Sequence, residues 1–275
     1  MIGFFLAVAL GAVANARARG VGKASTRSTA STGAALYESE RAVREYARFH
    51  HAKLTTNEDV EREFPYKEYI ATGIDVREAL AFAKAIARDA VDATRAGATR
   101  ALDVGCATGG VTAALARFGP YDEIIGVDFS SAFIDAAKAA QRGEIDGADV
   151  EALRRCSFER GDACSLRRDI GHFDVVVASN LLCRLAHPRQ FLRACERLVK
   201  PNGGALVLAS PYSWLEEFTP KSNWLSFQDI RDILREFDFV LESERDRAFL
   251  LREHDRKFAL GVAHVAVFRR GSMGR

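Results

Sequence analysis

Two carboxylates and a glycine-rich turn are the residues of this sequence best suited to chemistry. Asp103 lies within an apolar run at 101–104, which leads into small residues at 105–110. Such a run predicts a buried strand, and small residues let the backbone of the turn approach a ligand at the start of the next helix. Asp128 ends a second apolar run at 123–128. Because an acid there can hydrogen-bond both hydroxyls of a ribose, the pattern predicts a nucleoside ligand.

The turn also fits a dinucleotide, although loosely. Gly105, Ala107 and Gly110 match a G-x-A-x-x-G pattern, and Asp128 supplies the acid that NAD-binding folds carry about 20 residues further on. Asp103, however, stands inside the first strand, where dinucleotide folds usually keep an apolar residue. The turn taken alone therefore leaves NAD and S-adenosylmethionine open.

Two later segments favour S-adenosylmethionine. Asp162 closes a third predicted strand, where its carboxylate can accept a hydrogen bond from an adenine amino group. Residues 173–180 form a fourth predicted strand with a polar end. These features in this order resemble the motifs of class I methyltransferases. The resemblance implies a set of cofactor-binding residues: Asp103, Gly105, Cys106, Ala107, Gly109, Asp128, Phe129, Asp162, Ala163 and Asn180.

Strands and helices alternate along the chain in the order of a parallel sheet. Strands are predicted at 100–104, 123–128, 155–159, 173–179 and 205–210, with helices at 110–118, 130–141 and 188–199. A helix at 226–237 is followed by strands at 239–246 and 262–269, which we expect to pair antiparallel. The predicted fold class is α/β: a Rossmann-like class I methyltransferase fold, with a mostly parallel seven-stranded sheet, an antiparallel edge strand and helices on both faces.

The N-terminal third divides into two parts. Residues 1–36 contain an apolar run at 2–14, followed by arginines among small residues with no acid before Glu38. This composition is typical of an organelle transit peptide, whereas a secretory signal would carry a positively charged start. We therefore expect a leader outside the fold and a plastid, mitochondrial or cytoplasmic location, a mis-assigned start codon being the alternative.

Residues 37–98 are predicted to form a helical lid before a core at 99–270. Helical periodicity runs from Tyr37 to Phe49 and again over 74–93, and the polar stretch 55–68 is predicted to be a loop. His50 and His51 are adjacent, so they point about 100° apart on a helix and cannot chelate one metal together. We interpret both as ordinary lid or surface histidines.

Composition excludes several classes of function. The 275 residues carry 39 basic and 37 acidic side chains, a net charge of only +2, so nothing indicates nucleic acid as a partner. The five cysteines form no C-x-x-C pair, which argues against a zinc site and against a disulfide framework. The apolar run at 2–14 is too short to span a bilayer comfortably. We expect no metal and no membrane span.

A closer resemblance covers residues 37–270. It rests on YESERAVREY at 37–46 with the following Phe49-His50, on NLLCRL at 180–185, and above all on the long run SPYSWLEEFTPK at 210–221. With the turn at 102–107 and the charged segment 252–258, these resemble the C-terminal methyltransferase domain of the ovothiol-biosynthesis enzyme OvoA, the 4-mercaptohistidine N1-methyltransferase family.

That resemblance implies N-methylation of the imidazole of 5-thiohistidine (4-mercaptohistidine), a thiol-imidazole amino acid, in ovothiol biosynthesis. S-adenosylmethionine would donate the methyl group. The sequence carries no counterpart of the iron-dependent sulfoxide synthase region of that enzyme. We therefore expect a separate sulfoxide synthase as a partner.

The same segments supply candidates for binding a small zwitterionic aromatic acceptor. Tyr212 and Trp214 follow the fifth strand at the ligand-binding edge, where they can sandwich an imidazole ring, core packing being the alternative. Glu216 or Glu217 can hold the α-ammonium group. The carboxylate would be held by Arg184, Arg252 or Lys257, each of which could equally be a solvated surface residue.

Orientation of the acceptor ring is predicted to fall to residues near the C-terminus. The predicted catalytic set contains Tyr212, Trp214, Glu253 and His254, and His264 is a further candidate. Glu253, His254 and His264 can each hydrogen-bond the second nitrogen of the acceptor imidazole and so select its tautomer.

Two other functions remain open from the residues alone. A different small acceptor, such as a phenol or a quinone precursor methylated on oxygen or carbon, would use the same cofactor residues. A catalytically silent cofactor-binding subunit is the second, although the intact Asp103, Asp128 and Asp162 argue against it.

Overall fold

The computed structural model describes residues 33–70 and 73–271, so most of the predicted leader lies outside the described residues. Seven strands form one sheet: β1 (Arg100–Val104), β2 (Glu123–Asp128), β3 (Cys156–Arg160), β4 (Val175–Ser179), β5 (Ala205–Ser210), β6 (Phe239–His254) and β7 (Lys257–Arg270). Their order across the sheet is β3-β2-β1-β4-β5-β7-β6. The first five pair in parallel, and β7 runs antiparallel to both β5 and β6. The predicted fold class is confirmed.

The antiparallel part of the sheet is larger than its sequence pattern indicated. β6 and β7 form a hairpin of 16 and 14 residues, whereas alternation predicted two strands of eight residues each. The antiparallel strand β7 lies one place in from the edge, and β6 is the edge strand. Two register shifts, between Leu241 and Ser243 and between Arg252 and His254, interrupt the pairing of the hairpin.

Helices cover both faces of the sheet because its central strands are apolar on both sides. One face packs on α4 (Phe82–Asp92), α5 (Gly110–Phe118), α6 (Ser131–Arg142) and α7 (Val150–Leu153). The other packs on α8 (Pro188–Leu198) and α9 (Phe227–Arg235). Alternate strand residues serve the two cores: Val175 and Val177 face the first, and Val176 faces the second. In the described part of the chain, no helix is long and apolar enough to cross a membrane.

The N-terminal region differs from its prediction in two places. The loop predicted at 55–68 contains α2 (Asn57–Glu63), which begins with a capping box in which the side chains of Thr56 and Asp59 each accept from the other's backbone N–H. A short polar helix has no apolar period, so only its cap residues could have revealed it. The helix predicted at 74–93 is split into α3 (Val76–Leu80) and α4, since the backbone turns at Ala81.

The predicted lid begins with a 3₁₀ helix, Gly33–Glu38, followed by α1 (Glu40–His51). Ser39 separates the two and caps α1 by accepting from the backbone N–H of Ala42 at 3.2 Å. Glu38 accepts from the backbone N–H of Ser131 at 3.0 Å at the start of α6. The domain boundary predicted after residue 36 therefore cuts through a short helix that is attached to the core.

A buried ion pair fastens the edge strand to the helical layer and generates a stability prediction. Arg247 of β6 donates to both carboxylate oxygens of Asp89 on α4, at 2.5 and 2.6 Å, and the Asp89 side chain is only 2% exposed. Arg247→Met should lower the free energy of unfolding by about 2 kcal/mol. This loss of stability is smaller than the ~3–5 kcal/mol expected when one partner of a buried ion pair is removed, because Arg245 remains 3.4 Å from Asp89.

The matched control is Arg142→Met, since the pair between Arg142 and Glu144 is exposed on both sides. Its loss should cost no more than about 0.5 kcal/mol. Urea unfolding of the two variants tests the contrast, and equal midpoints would contradict it.

Candidate active site

A cavity of about 420 Å³ lies at the carboxyl ends of β1, β2 and β4. This volume falls within the range of roughly 300–1,000 Å³ that small-molecule sites occupy. The strand ends contribute Val104, Asp128 and Ser179 to its lining, and the lid helix α1 contributes Tyr46, Phe49 and His50. The lid helix is therefore part of the wall of the cavity.

The turn after β1 forms the floor of the cavity. Gly105 has a φ of +77°, and a Cβ on it would lie 2.9 Å from Leu181 Cδ1, so only glycine fits without a shift. The backbone N–H groups of Gly105 and Cys106 both donate to Val127 O, at 2.7 and 3.1 Å. Burial raises the pKa of the Cys106 thiol well above its usual value, so this cysteine stays protonated and unreactive.

Asp103 places an unpaired carboxylate oxygen beside the cavity. The residue is 1% exposed, its Oδ2 accepts from Thr112 Oγ1 at 2.6 Å, and its Oδ1 has no hydrogen-bond partner in the described structure. Burial raises the pKa of the carboxyl group to about 7. A buried acceptor without a partner is costly, so it indicates a place for a donor from a ligand.

Two further acids lie at the neighbouring strand ends. Asp128 accepts from the backbone N–H of Ala107 at 2.8 Å and of Ser130 at 2.9 Å, and burial raises its pKa. Asp162 accepts from the backbone N–H of Cys164 at 2.9 Å. Both carboxylates line the cavity together with Asp103.

Nine of the ten predicted cofactor residues line the cavity. They are Asp103, Gly105, Cys106, Ala107, Asp128, Phe129, Asp162, Ala163 and Asn180. Asn180, with a φ of +52°, has an Oδ1 atom without a described hydrogen-bond partner. The exception is Gly109, which caps α5 and lies under the ring of Phe158 rather than at the cavity.

A partly buried arginine, Arg184, also lines the cavity. Arg184 Nη1 donates to Ser213 O at 2.7 Å, and its guanidinium lies 5.2 Å from the centre of the Phe218 ring. No carboxylate within residues 33–70 and 73–271 forms an ion pair with it. Glu217, predicted to bind substrate, also lines the cavity. A partly buried cation that pairs with no described acid indicates an anionic group on the ligand.

Aromatic rings enclose this side of the cavity. The ring centre of Tyr37 lies 6.1 Å from that of Tyr46, 5.7 Å from that of Phe133 and 5.7 Å from that of Phe218. Burial raises the pKa values of both tyrosines, so their hydroxyls are neutral near pH 7. Elsewhere in the lining, Phe82 lies between Phe49 and Phe249, whose ring centres are 6.4 and 5.3 Å from that of Phe82. The three rings form an apolar wall.

The two adjacent histidines lie on the lid helix, one of the two alternatives of their sequence interpretation, and not on the open surface, since His51 is 5% exposed and His50 lines the cavity. Nδ1 of His50 lies 3.1 Å from the backbone N of Gly110 and 3.0 Å from Thr108 Oγ1. Nε2 of His51 lies 2.8 Å from Thr108 O. Both rings therefore contact the turn between β1 and α5. The signal in the sequence was the position of His50, four residues after Tyr46 and so on the same face of the helix.

The predicted aromatic sandwich is not at the cavity. Tyr212 has a φ of +51° and turns away from the lining, so that its hydroxyl lies 3.0 Å from Nδ1 of His264. Trp214 is partly buried against the second core. His264 lies 3.3 Å from Glu244 on β6 and packs edge-on against Phe227. The structure therefore places Tyr212 and Trp214 in the packing role that was the alternative.

Four charged residues predicted for the acceptor lie near the end of the hairpin instead. Arg252 pairs with Asp255, and Lys257 lies 2.5 Å from Glu253. His254 is exposed and accepts from the backbone N–H of Arg256. The side-chain partners named here all lie within residues 252–257, near the turn of the hairpin. None of the predicted Arg252, Glu253, His254 and Lys257 lines the cavity.

Comparison with known proteins finds similarity over the middle of the chain. Residues 102–205 match the methyltransferase domain family. An uncharacterized methyltransferase of Schizosaccharomyces pombe is 35% identical over 104 residues, which is 38% of this chain and 37% of that protein. A ubiquinone biosynthesis O-methyltransferase of Coxiella burnetii is 32% identical over 102 residues, or 37% of this chain and 39% of that protein. This chain thus spans about two fifths of the curated relatives that it matches.

Two solved structures share the fold. A structure from work on the conversion of a disulfide bond into a thioacetal group during echinomycin biosynthesis has a TM-score of 0.52 at 21% identity, covering 70% of this chain and 82% of that chain. The [4+2]-cyclase SpnF has a TM-score of 0.53 at 18% identity, covering 74% and 85%. At these identities the likeness concerns the fold alone. Residues 102–205 are thus similar to methyltransferase domains, and the cavity lies at the strand ends of this segment.

The raised pKa of Asp103 generates a prediction about stability and pH. An unfolded aspartate has a pKa of about 3.9, so the folded protein holds this proton more tightly than the unfolded chain does. The resulting stabilisation is fully present below about pH 4 and is lost as the pH rises through about 7. The unfolding free energy of the wild type, measured against Asp103→Asn, should fall by roughly 2 kcal/mol between pH 5 and pH 8. A constant difference would show that Asp103 titrates normally.

Proposed function

We propose that this protein transfers a methyl group from S-adenosylmethionine to a small aromatic acceptor that carries a carboxylate. The observation behind the proposal is the arrangement of charge in one cavity. Asp103 with its unpaired Oδ1, the strand-end acid Asp128, and Arg184, which has no acidic partner among the described residues, all line this cavity. The cavity thus offers places for a cationic cofactor and for an anionic acceptor.

The residues present fit the cofactor at each of its polar parts. The Oδ1 atom of Asp103 can accept from the ammonium of the amino-acid end, which supplies the partner that this atom lacks. Asp128 and Asp162 lie at successive strand ends, suited to the ribose hydroxyls and the adenine amino group. When bound, the cofactor supplies an electrophilic methyl group on a sulfonium.

We propose 5-thiohistidine as the acceptor, methylated on an imidazole nitrogen. Three segments behind the family resemblance, at 37–50, 180–185 and 210–221, each contribute residues to the cavity. Arg184 suits the acceptor carboxylate and Glu217 its ammonium, while Tyr37 and Phe218 supply ring faces. We also propose that a separate sulfoxide synthase makes this thiol-imidazole.

The proposed transfer needs alignment more than it needs a base. A neutral imidazole, with an ordinary pKa of about 6.5, already offers a lone pair near pH 7. Positive charge leaves sulfur as nitrogen gains it, so orientation of the two reactants is the main contribution, worth up to roughly 7–11 kcal/mol. The neutral hydroxyls of Tyr37 and Tyr46 can hold the ring in place. The apolar wall around Phe82 excludes water.

A second acceptor class is supported by the names of relatives. Besides the ubiquinone O-methyltransferase, a demethylmenaquinone methyltransferase of Lactobacillus johnsonii is 32% identical over 109 residues, covering 39% of this chain and 42% of that protein. A quinone precursor carries a phenol with a pKa of about 10, for which a positioned base contributes about 10²–10⁴-fold. His187 and Glu217 are exposed at the cavity and are the candidates for such a base.

Cofactor identity is tested by binding measurements on the full chain. We expect S-adenosylmethionine to bind and NAD not to bind, and Asp128→Ala to weaken binding by about 10- to 150-fold, because charge-assisted bonds to the ribose are worth roughly 1.5–3 kcal/mol. Calorimetry with both ligands measures this. Tight NAD binding, or the same affinity in Asp128→Ala, would reject the assignment.

Acceptor identity is tested with 5-thiohistidine, a thiol-imidazole without a carboxylate, and a phenolic quinone precursor. We expect methylated 5-thiohistidine by mass spectrometry, and a KM at least about 10-fold higher in Arg184→Met, since a charge-assisted bond is lost. The cofactor affinity should not change. Arg184→Lys, which keeps the charge, should restore part of the KM effect.

The matched control is Arg252→Met, because Arg252 was a candidate for the same role but lies outside the cavity. Its KM should equal that of the wild type. If only the phenol is methylated, the O-methyltransferase alternative is correct. Binding of the cofactor without turnover of any acceptor would favour the silent subunit.

A further inference from the structure

The ring of His50 has a defined protonation pattern. The backbone N–H of Gly110 can only donate, so Nδ1 of His50, 3.1 Å away, must be an acceptor without a proton. Burial lowers the pKa of this imidazole to about 3, so the ring is neutral at ordinary pH. Its single proton is therefore on Nε2, and Thr108 Oγ1 donates the second bond to Nδ1.

The Nε2–H group is left for a ligand. His50 lines the cavity, and its Nε2 forms no hydrogen bond with any residue in the described ranges. The contact with the turn is close, since a Cβ on Gly110 would lie 2.6 Å from His50 Cβ. The ring is thus held at the start of α5, a nine-residue helix whose first amides favour negative charge.

A second observation places an amino-acid group in the same part of the cavity. Asp103, 1% exposed and also lining the cavity, has the unpaired Oδ1 atom assigned above to the cofactor ammonium. The carboxylate of that same amino-acid end is attached to the carbon that bears the ammonium. It therefore lies within a few bonds of Asp103, near the first turn of α5, which His50 and Asp103 both contact through Gly110 and Thr112.

We infer that His50 donates a hydrogen bond from Nε2 to the carboxylate of the cofactor's amino-acid end, so that the bound cofactor fastens the lid helix α1. The inference rests on the proposed function, because it assumes S-adenosylmethionine as the ligand. It adds a cofactor contact for a residue that lies outside the family-matched segment 102–205.

The contact has a consequence for the acceptor. Tyr46 lies one helical turn before His50, with ring centres 5.9 Å apart, and it belongs to the aromatic enclosure around Tyr37. Holding His50 therefore also holds the wall against which the acceptor ring rests. The cofactor should bind first and raise the affinity for the acceptor.

Two substitutions separate the two nitrogens of the ring. In His50→Asn, the side-chain oxygen replaces Nδ1 and keeps the bond to Gly110, while the Nε2 donor is lost. In His50→Gln, the amide nitrogen replaces the Nε2 donor, and the bond to Gly110 is lost. His51→Phe is the matched control for the lid, because it removes the bond to Thr108 O from a ring that does not line the cavity.

The ligands are S-adenosylhomocysteine and 5′-methylthioadenosine, which lacks the amino-acid end. His50→Asn should weaken S-adenosylhomocysteine by about 10- to 150-fold in calorimetry, as expected for loss of a bond to a charged group. Its affinity for 5′-methylthioadenosine should stay within about twofold of the wild type. His50→Gln should keep more of the S-adenosylhomocysteine affinity than His50→Asn. In His51→Phe, any loss should be equal for both ligands.

The outcomes that overturn the inference differ from those that overturn the proposed function. Equal losses for the two ligands in His50→Asn would mean that His50 only supports the fold, and unchanged affinity would mean that it does not contact the cofactor. Either result leaves the methyltransferase proposal standing if the wild type binds S-adenosylhomocysteine. A wild type that binds neither ligand would overturn both.

Discussion

The site depends on the parallel pairing of β1 with β2 on one side and β4 on the other. After β1 the chain passes to the face covered by α5, and after β4 it passes to the face covered by α8. The two connections diverge, and a crevice opens at the carboxyl ends of the strands. Of the polar groups that we assign to the cofactor, Asp103 lies in β1 and Asp128 ends β2, so both reach this crevice. Asp162 follows the neighbouring β3, and His50 comes from the lid helix α1.

The most unusual polar group in the crevice is a buried acid. Asp103 lies inside a fully buried strand, with one oxygen satisfied by Thr112 and the other by no described residue. Local rules of strand design would place an apolar side chain there, and burial of this acid costs stability. Violations of this kind concentrate at functional sites, where a ligand supplies the missing partner.

Much of the fold and half of the site follow from the sequence, for reasons that particular residues illustrate. The apolar runs around Asp103 and Asp128 specify strands, and strand order then brings both acids to one edge. The apolar pattern of a strand does not specify in which direction a side chain points once the strand has ended. Tyr212 follows β5 as expected, yet its positive φ turns its ring onto His264 and away from the cavity.

The hairpin residues lie outside the cavity for a related reason. Charged side chains in sequence proximity, such as Glu253 and Lys257, can form an ion pair with one another, and only the structure shows that they do. Arg184 has the opposite property, since no described acid pairs with it. A sequence shows which charges exist, whereas a binding role depends on which charges remain unpaired after folding.

The lid explains how an open crevice can become a site for alignment. α1 brings Tyr46 to the acceptor side and His50 to the turn, so one rigid helix contacts both parts of the cavity. A helix held by charged groups would loosen with pH or salt. The two histidines avoid this, because burial lowers both of their pKa values and keeps the rings neutral. Each neutral ring donates and accepts hydrogen bonds at fixed atoms, so the direction of these bonds, and not charge, sets the position of the helix. An in-line methyl transfer requires walls that are held in this way.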